Sequence, residues 1–253
     1  MADNVLETAL RRERAPVLAG LIGAIALSWL YLVPAARDMY GAMVGPARWM
    51  MRADWDAPYT LGIFLMWSVM MVGMMLPSAA PAILLYARAL RGAQDAVARS
   101  YAFAGGYLVA WTAFSAAATA LQFLFARSLL LTPMMAARAP EFSAAVLALA
   151  GLYQWTPLKA ACLSQCRAPV DFLTRHWRPG LAGAFGTGVR HGLYCLGCCW
   201  ALMLLLFAGG VMNLACIAAI AIFVLVEKLA PQGAQAGRIG GALLLVAALA
   251  LLR

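Results

Sequence analysis

The chain has 253 residues, 65% of them hydrophobic and only 11% charged, with a mean hydropathy of +0.83. A soluble domain carries about 25% charged residues, so this composition excludes an ordinary soluble fold and predicts an all-α, polytopic transmembrane helical bundle. The net charge of +9 does not call for nucleic acid, because the arginines fall between apolar runs and the positive-inside rule accounts for them.

Seven runs approach the length of about 20 residues that a bilayer requires, or six if the short last run does not cross fully. The start, MADNVLETALRRERAP, mixes both charges, and the run after it is too long for a signal sequence, so it reads as an uncleaved anchor. Span one covers about 16–34, with Trp29 and Tyr31 as interfacial aromatics. A polar connection at 37–58 leads to span two, about 59–85, and span three, about 101–125. Span four, about 142–158, precedes a basic segment. Span five follows at 186–207, span six at 211–229 and span seven at 239–252. The very short turn at Gly209 and Gly210 makes spans five and six antiparallel neighbours. With the N-terminus in the cytoplasm, thirteen Lys and Arg fall on the cytoplasmic side, Arg11, Arg12, Arg14 and Lys159 among them, and six on the other. This asymmetry predicts a cytoplasmic (inner) membrane protein with its N-terminus inside. No linker, second domain or clear repeat divides the chain, so residues 1–253 read as one integral membrane domain embedded in the lipid bilayer.

The chemistry concentrates in GLYCLGCCWALM, where Cys195 stands one turn from both Cys198 and Cys199 on a helix, and His191 extends the same stripe. Thiolate and imidazole suit soft or borderline metals such as Cu(I) and zinc. Cysteine is also a small apolar filler, but three within five residues beside a histidine favour ligation. Glycines four apart, Gly188 and Gly192, let another helix approach closely and make span five central. Span two carries five methionines in ten residues, with Met66, Met70 and Met74 in one stripe and Met71 and Met75 in a second. Thioethers take Cu(I), although methionine also fills cores. Met70 and Cys198 lie near the middle of their spans, so Met70 and Met74 are expected to approach the cysteines. Cys162 and Cys166, four apart after span four and flanked by Lys159 and Arg167, read as a separate cytoplasmic relay pair, since nearby positive charge favours the thiolate. Glu227 with Lys228 reads as a local pair near the boundary, and His176 as a surface residue. There is no phosphate loop, GxSxG, HExxH or dinucleotide fingerprint, which leans away from an enzyme.

Four ordered motifs, WSVMMVGMMLPSAAP, YQWTPLKAACLSQCRAP, RHGLYCLGCCWALM and GGVMNL with VEKLAP, resemble the DUF2182 family of metal-binding integral membrane proteins. The resemblance covers a core of about 59–231 and leaves out the first and last spans. The segment ACIAAIAIF departs from the family pattern, which weakens any ligand from span six. The resemblance implies metal binding without naming the metal. The reading is a bundle that binds a soft metal, foremost Cu(I), through Cys195, Cys198, Cys199, His191, Met70, Met74, Cys162 and Cys166. Its role would be metal transport, delivery or cofactor assembly, with a soluble metal carrier or a membrane complex as partner. The alternatives are a membrane thiol–disulfide oxidoreductase and a metal-free scaffold for a membrane complex.

Overall fold

The computed structural model describes residues 2–41, 43–52 and 54–253, with side chains from Ala15 onward except Pro46 and Ala47. The side chains of Arg11, Arg12 and Arg14, part of the charge count above, lie outside the described residues. The chain forms α1 (Ala2–Met39), α2 (Pro46–Met50), α3 (Ala57–Ala89), α4 (Ala96–Arg127), α5 (Pro140–Tyr153), α6 (Pro157–Arg167), α7 (Pro169–His176), α8 (Gly180–Gly209), α9 (Leu214–Leu229) and α10 (Gly233–Leu251). Among the described residues there is no strand, only an isolated bridge between Leu131 and Ala137. The fold is all-helical, as the composition predicts.

Among the described residues five helices are long and apolar enough to cross a membrane: α3, α4, α8, α10 and the Ala15–Met39 part of α1. The other two expected spans differ. Span four ends at Tyr153, because the ring of Pro157 cannot follow the Tyr153 carbonyl in a continuous helix. Thr156 then caps the new helix, its hydroxyl accepting from Lys159 N at 3.2 Å. Span six is the 16-residue α9. The turn before it holds Gly210 at φ 94°, in the left-handed region that glycine enters without strain.

Proline inside α3 has a partner that the sequence did not reveal. Pro77 leaves the Gly73 carbonyl without its helical donor, and Trp29 Nε1 of α1 donates to that carbonyl at 3.2 Å. Trp29, expected as an interfacial aromatic, is thus an inter-helix clamp.

Helix α8 is central. Its Gly188 lies against the Phe103 carbonyl of α4 and Gly192 against Tyr107, while Gly106 of α4 faces the Phe185 carbonyl of α8. Backbones approach this closely only where Cβ atoms are missing. On the other side, α5 and α6 run along α8 in the opposite direction, and α7 packs on α3 and α6. Ala137 N donates to Phe207 O at 3.0 Å and the Tyr153 hydroxyl to Gly197 O at 2.5 Å. The Cys162 side chain packs at Gly197, and the Phe172 ring lies 5.0 Å from that of His191. Helix α9 packs on α3 and α8, and α10 on α5 and α9.

A β-carbon at Gly188 meets rigid backbone, whereas Gly186 has open space around it. Gly188→Val should destabilise the protein by at least the ~1–3 kcal/mol typical of overpacking, and Gly186→Ala should leave it unchanged or slightly more stable. Thermal unfolding of the detergent-solubilised variants checks this. Equal effects at both positions would contradict the packing described.

Candidate metal centre

Cys195 is the sixteenth of the thirty residues of α8, so its stripe stands halfway along the helix. Cys195, Cys198 and Cys199 are each 1% exposed or less. Cys198 and Cys199 turn their thiols back onto the Cys195 carbonyl, at 3.1 and 2.8 Å, as i to i+3 and i+4 neighbours can. All six cysteines are free.

Four other elements close around this stripe. From α9, Lys228 Nζ donates to Cys195 Sγ at 2.7 Å and to the Ser78 hydroxyl of α3 at 3.1 Å. From α4, the Tyr107 hydroxyl meets Cys195 Sγ at 3.1 Å and lies 3.0 Å from the Met75 carbonyl. From α3, Met75 Sδ stands 4.0 Å from Cys199 Sγ. From α6, the half-buried Cys166 packs against the core beside Cys195 and Cys198. Three buried thiols, a thioether, a phenol and an ammonium thus share one enclosed volume, with Cys166 at its edge. Among the described residues no three His, Cys, Asp or Glu side chains are drawn into a closed metal-holding shell. The thiols are gathered, with two of them turned onto backbone.

The residues singled out from the sequence fare differently. Cys195, Cys198 and Cys199 come together on α8, and Cys162 and Cys166, expected as a separate cytoplasmic relay pair, lie half-buried on α6 beside them. Cys162 packs against Gly197 beside the group. Lys159, expected to act on these thiols from a basic loop, is buried at 2% exposure and gives its ammonium to Glu227 Oε2 at 2.8 Å. His191 is buried among the Phe103, Tyr107 and Phe172 rings, and its Nδ1 has no hydrogen-bond partner. Met70 and Met74 are fully buried on α3, but the sulfur that meets a cluster thiol belongs to Met75. His176, taken as a surface residue, packs its ring on Phe172 at 4.8 Å.

Lys228, Tyr107 and Ser78 were missed. The signal for Lys228 was the Glu-Lys pair inside an apolar run, since ionisable groups in such runs rarely lack a purpose. Glu227, expected to pair locally with Lys228, pairs instead with Lys159 of α6. It is 1% exposed, and besides Lys159 it has Arg167 donating to its backbone carbonyl. Arg167 also donates to Pro231 O at 2.8 Å, tying α6 to the end of α9. This anchors Lys228, the next residue, in register with Cys195.

The arrangement defines a class: an all-helical protein with membrane-length helices around a buried sulfur-rich centre. The chain belongs to the PpoB2 copper chaperone family, whose model matches residues 64–251. That is a family of the DUF2182 type, and the match reaches past the expected core to take in α10. No curated protein and no solved structure matches the chain.

The Lys159–Glu227 pair holds the frame of this centre. Removing one partner from a buried pair leaves a lone charge and costs about 3–5 kcal/mol. Lys159→Met and Glu227→Gln should each lower the unfolding temperature sharply, and the double variant should recover much of the loss. A double variant no more stable than either single one would show that the pair is not the anchor.

Proposed function

We propose that the chain is an integral protein of the cytoplasmic membrane that holds Cu(I) as cargo between buried thiolates and hands it to a partner. The observation that carries this reading is the convergence of Cys195, Cys198 and Cys199 on one volume together with the Lys228 ammonium, with Cys166 at its edge. Soft sulfur donors select Cu(I) from the common biological metals, with zinc the nearest competitor. Tetrahedral zinc asks for four closed ligands, whereas two thiolates satisfy Cu(I).

Charge supports the same choice. A Cu(I) ion between two thiolates carries a net charge of about −1, which is costly in an apolar interior unless it is paired. Lys228 already places one positive charge against Cys195 sulfur, so the loaded centre is close to neutral. To bind, Cys198 or Cys199 rotates about χ1 away from the Cys195 carbonyl and releases its thiol proton to solution as it takes the metal. Met75 adds a neutral sulfur, and His191 and Cys162 stand next to the group. A thiol oxidoreductase needs an accessible cysteine, and the cysteines of α8 are fully enclosed. The recipient would be a soluble copper carrier or a membrane complex, with the N-terminus on the cytoplasmic side.

Protein purified anaerobically with Cu(I) should carry stoichiometric copper, and the Cys195→Ser/Cys198→Ser/Cys199→Ser variant should lose it. Equal copper in both would refute the assignment.

A further inference from the structure

At the end of the bundle where the α2–α3 and α4–α5 connections meet, a cavity of about 390 Å³ opens, lined among others by Met51, Tyr59, Gln122 and Met135. Its position is fixed by both connections. The Tyr59 hydroxyl donates to Met50 O at 2.8 Å, and Val211 N donates to Met135 O at 3.1 Å. Two methionines therefore line a cavity at the Gly209 end of α8, away from the midpoint where Cys195 stands.

Tyr59 also heads a stripe on α3. Tyr59, Ile63, Met66, Met70 and Met74 follow at steps of four, three, four and four, so they share one face of the helix. Met71 and Met75 stand beside them. All five methionines are 1% exposed or less. The outward positions Leu61 and Leu65 are leucine, 56% and 51% exposed. The methionines of α3 are thus all inside, together with Ile63 and Leu76. Each four-residue step rises about 6 Å, so neighbouring sulfurs of the stripe lie about one helical turn apart. The file ends at Met75, in contact with Cys199.

Resting on the reading of the cysteines as a copper centre, we infer that this methionine file is the route along which Cu(I) passes between the Met51/Met135 cavity and the thiols. Thioethers are neutral, flexible and weaker ligands than thiolates. At entry, methionine sulfur displaces the chloride that copper arrives with, and the chloride returns to solution. Each further step breaks one Cu–S bond and makes another. At the inner end a cysteine thiol gives up its proton to solution as it takes the ion, with no change of oxidation state. The cavity also carries three arginines, Arg52, Arg127 and Arg138, against one carboxylate, Asp54. Arg52 is paired with Asp56 at 3.1 Å and Arg127 lies over the Phe123 ring. The remaining positive charge disfavours a bare cation and suits copper arriving as an anionic complex, the form CuCl₂⁻ that Cu(I) takes in chloride.

The test mixes whole, metal-free protein with Cu(I) in anaerobic chloride buffer and follows the ultraviolet thiolate-to-copper absorption with time. Met→Leu changes nearly conserve volume, so Met66→Leu/Met70→Leu/Met74→Leu should fold, which its melting curve checks. Its loading rate should fall by about tenfold or more, the effect of roughly 1.4 kcal/mol on a barrier, with final stoichiometry unchanged. Met51→Leu/Met135→Leu should slow loading as well. Wild-type rates in both variants would overturn the route while leaving the thiol centre standing. Loss of final copper from the methionine variant would make these residues ligands and not a path, and overturns it too. If the wild-type protein takes up no copper, the reading of the centre fails and the route falls with it.

Discussion

A lysine ammonium held against a cysteine sulfur inside an apolar bundle is the constraint on which the rest of this structure depends. A buried ammonium without partners is among the most costly groups a protein can carry. Lys228 has two, Cys195 Sγ and the Ser78 hydroxyl, and so links α9 to both α8 and α3. Its neighbour Glu227 binds Lys159 of α6, and Arg167 reaches the end of α9. Two charges adjacent in sequence thus fix two sides of the same centre.

The helical frame serves this arrangement. The glycines of α4 and α8 bring those backbones together, which lets Tyr107 reach Cys195 directly. The break at Pro157 starts α6 with fresh geometry and directs Cys166 toward the α8 thiols. A straight span four would have carried these cysteines past the centre. Trp29 closes the backbone gap left by Pro77 just beyond the methionine rows, and so ties α1 to α3.

Much of this was legible in the sequence because periodicity speaks for single helices. The stripe of Cys195 and Cys199, the two methionine rows and the glycine pair were read from spacing alone, and each lies on one helix face. What spacing cannot give is the partner across a gap. Lys228 and Tyr107 lie on other helices, and nothing in their local sequence points at sulfur. Length misled at span four, where hydropathy runs on through a helix break, and at Lys159, whose position beside other basic residues suggested solvent. The difference between Met74 and Met75 is a rotation of about 100° on the helix, finer than depth arguments resolve.

What stands to be tested is that sulfur from α3, α6 and α8 holds copper. X-ray absorption at the copper edge of the loaded, reduced protein tests it most directly. The account predicts Cu(I) with a first shell of sulfur alone, two or three atoms, altered when Cys195 is replaced by serine. A shell dominated by nitrogen or oxygen, or one indifferent to Cys195, would contradict it.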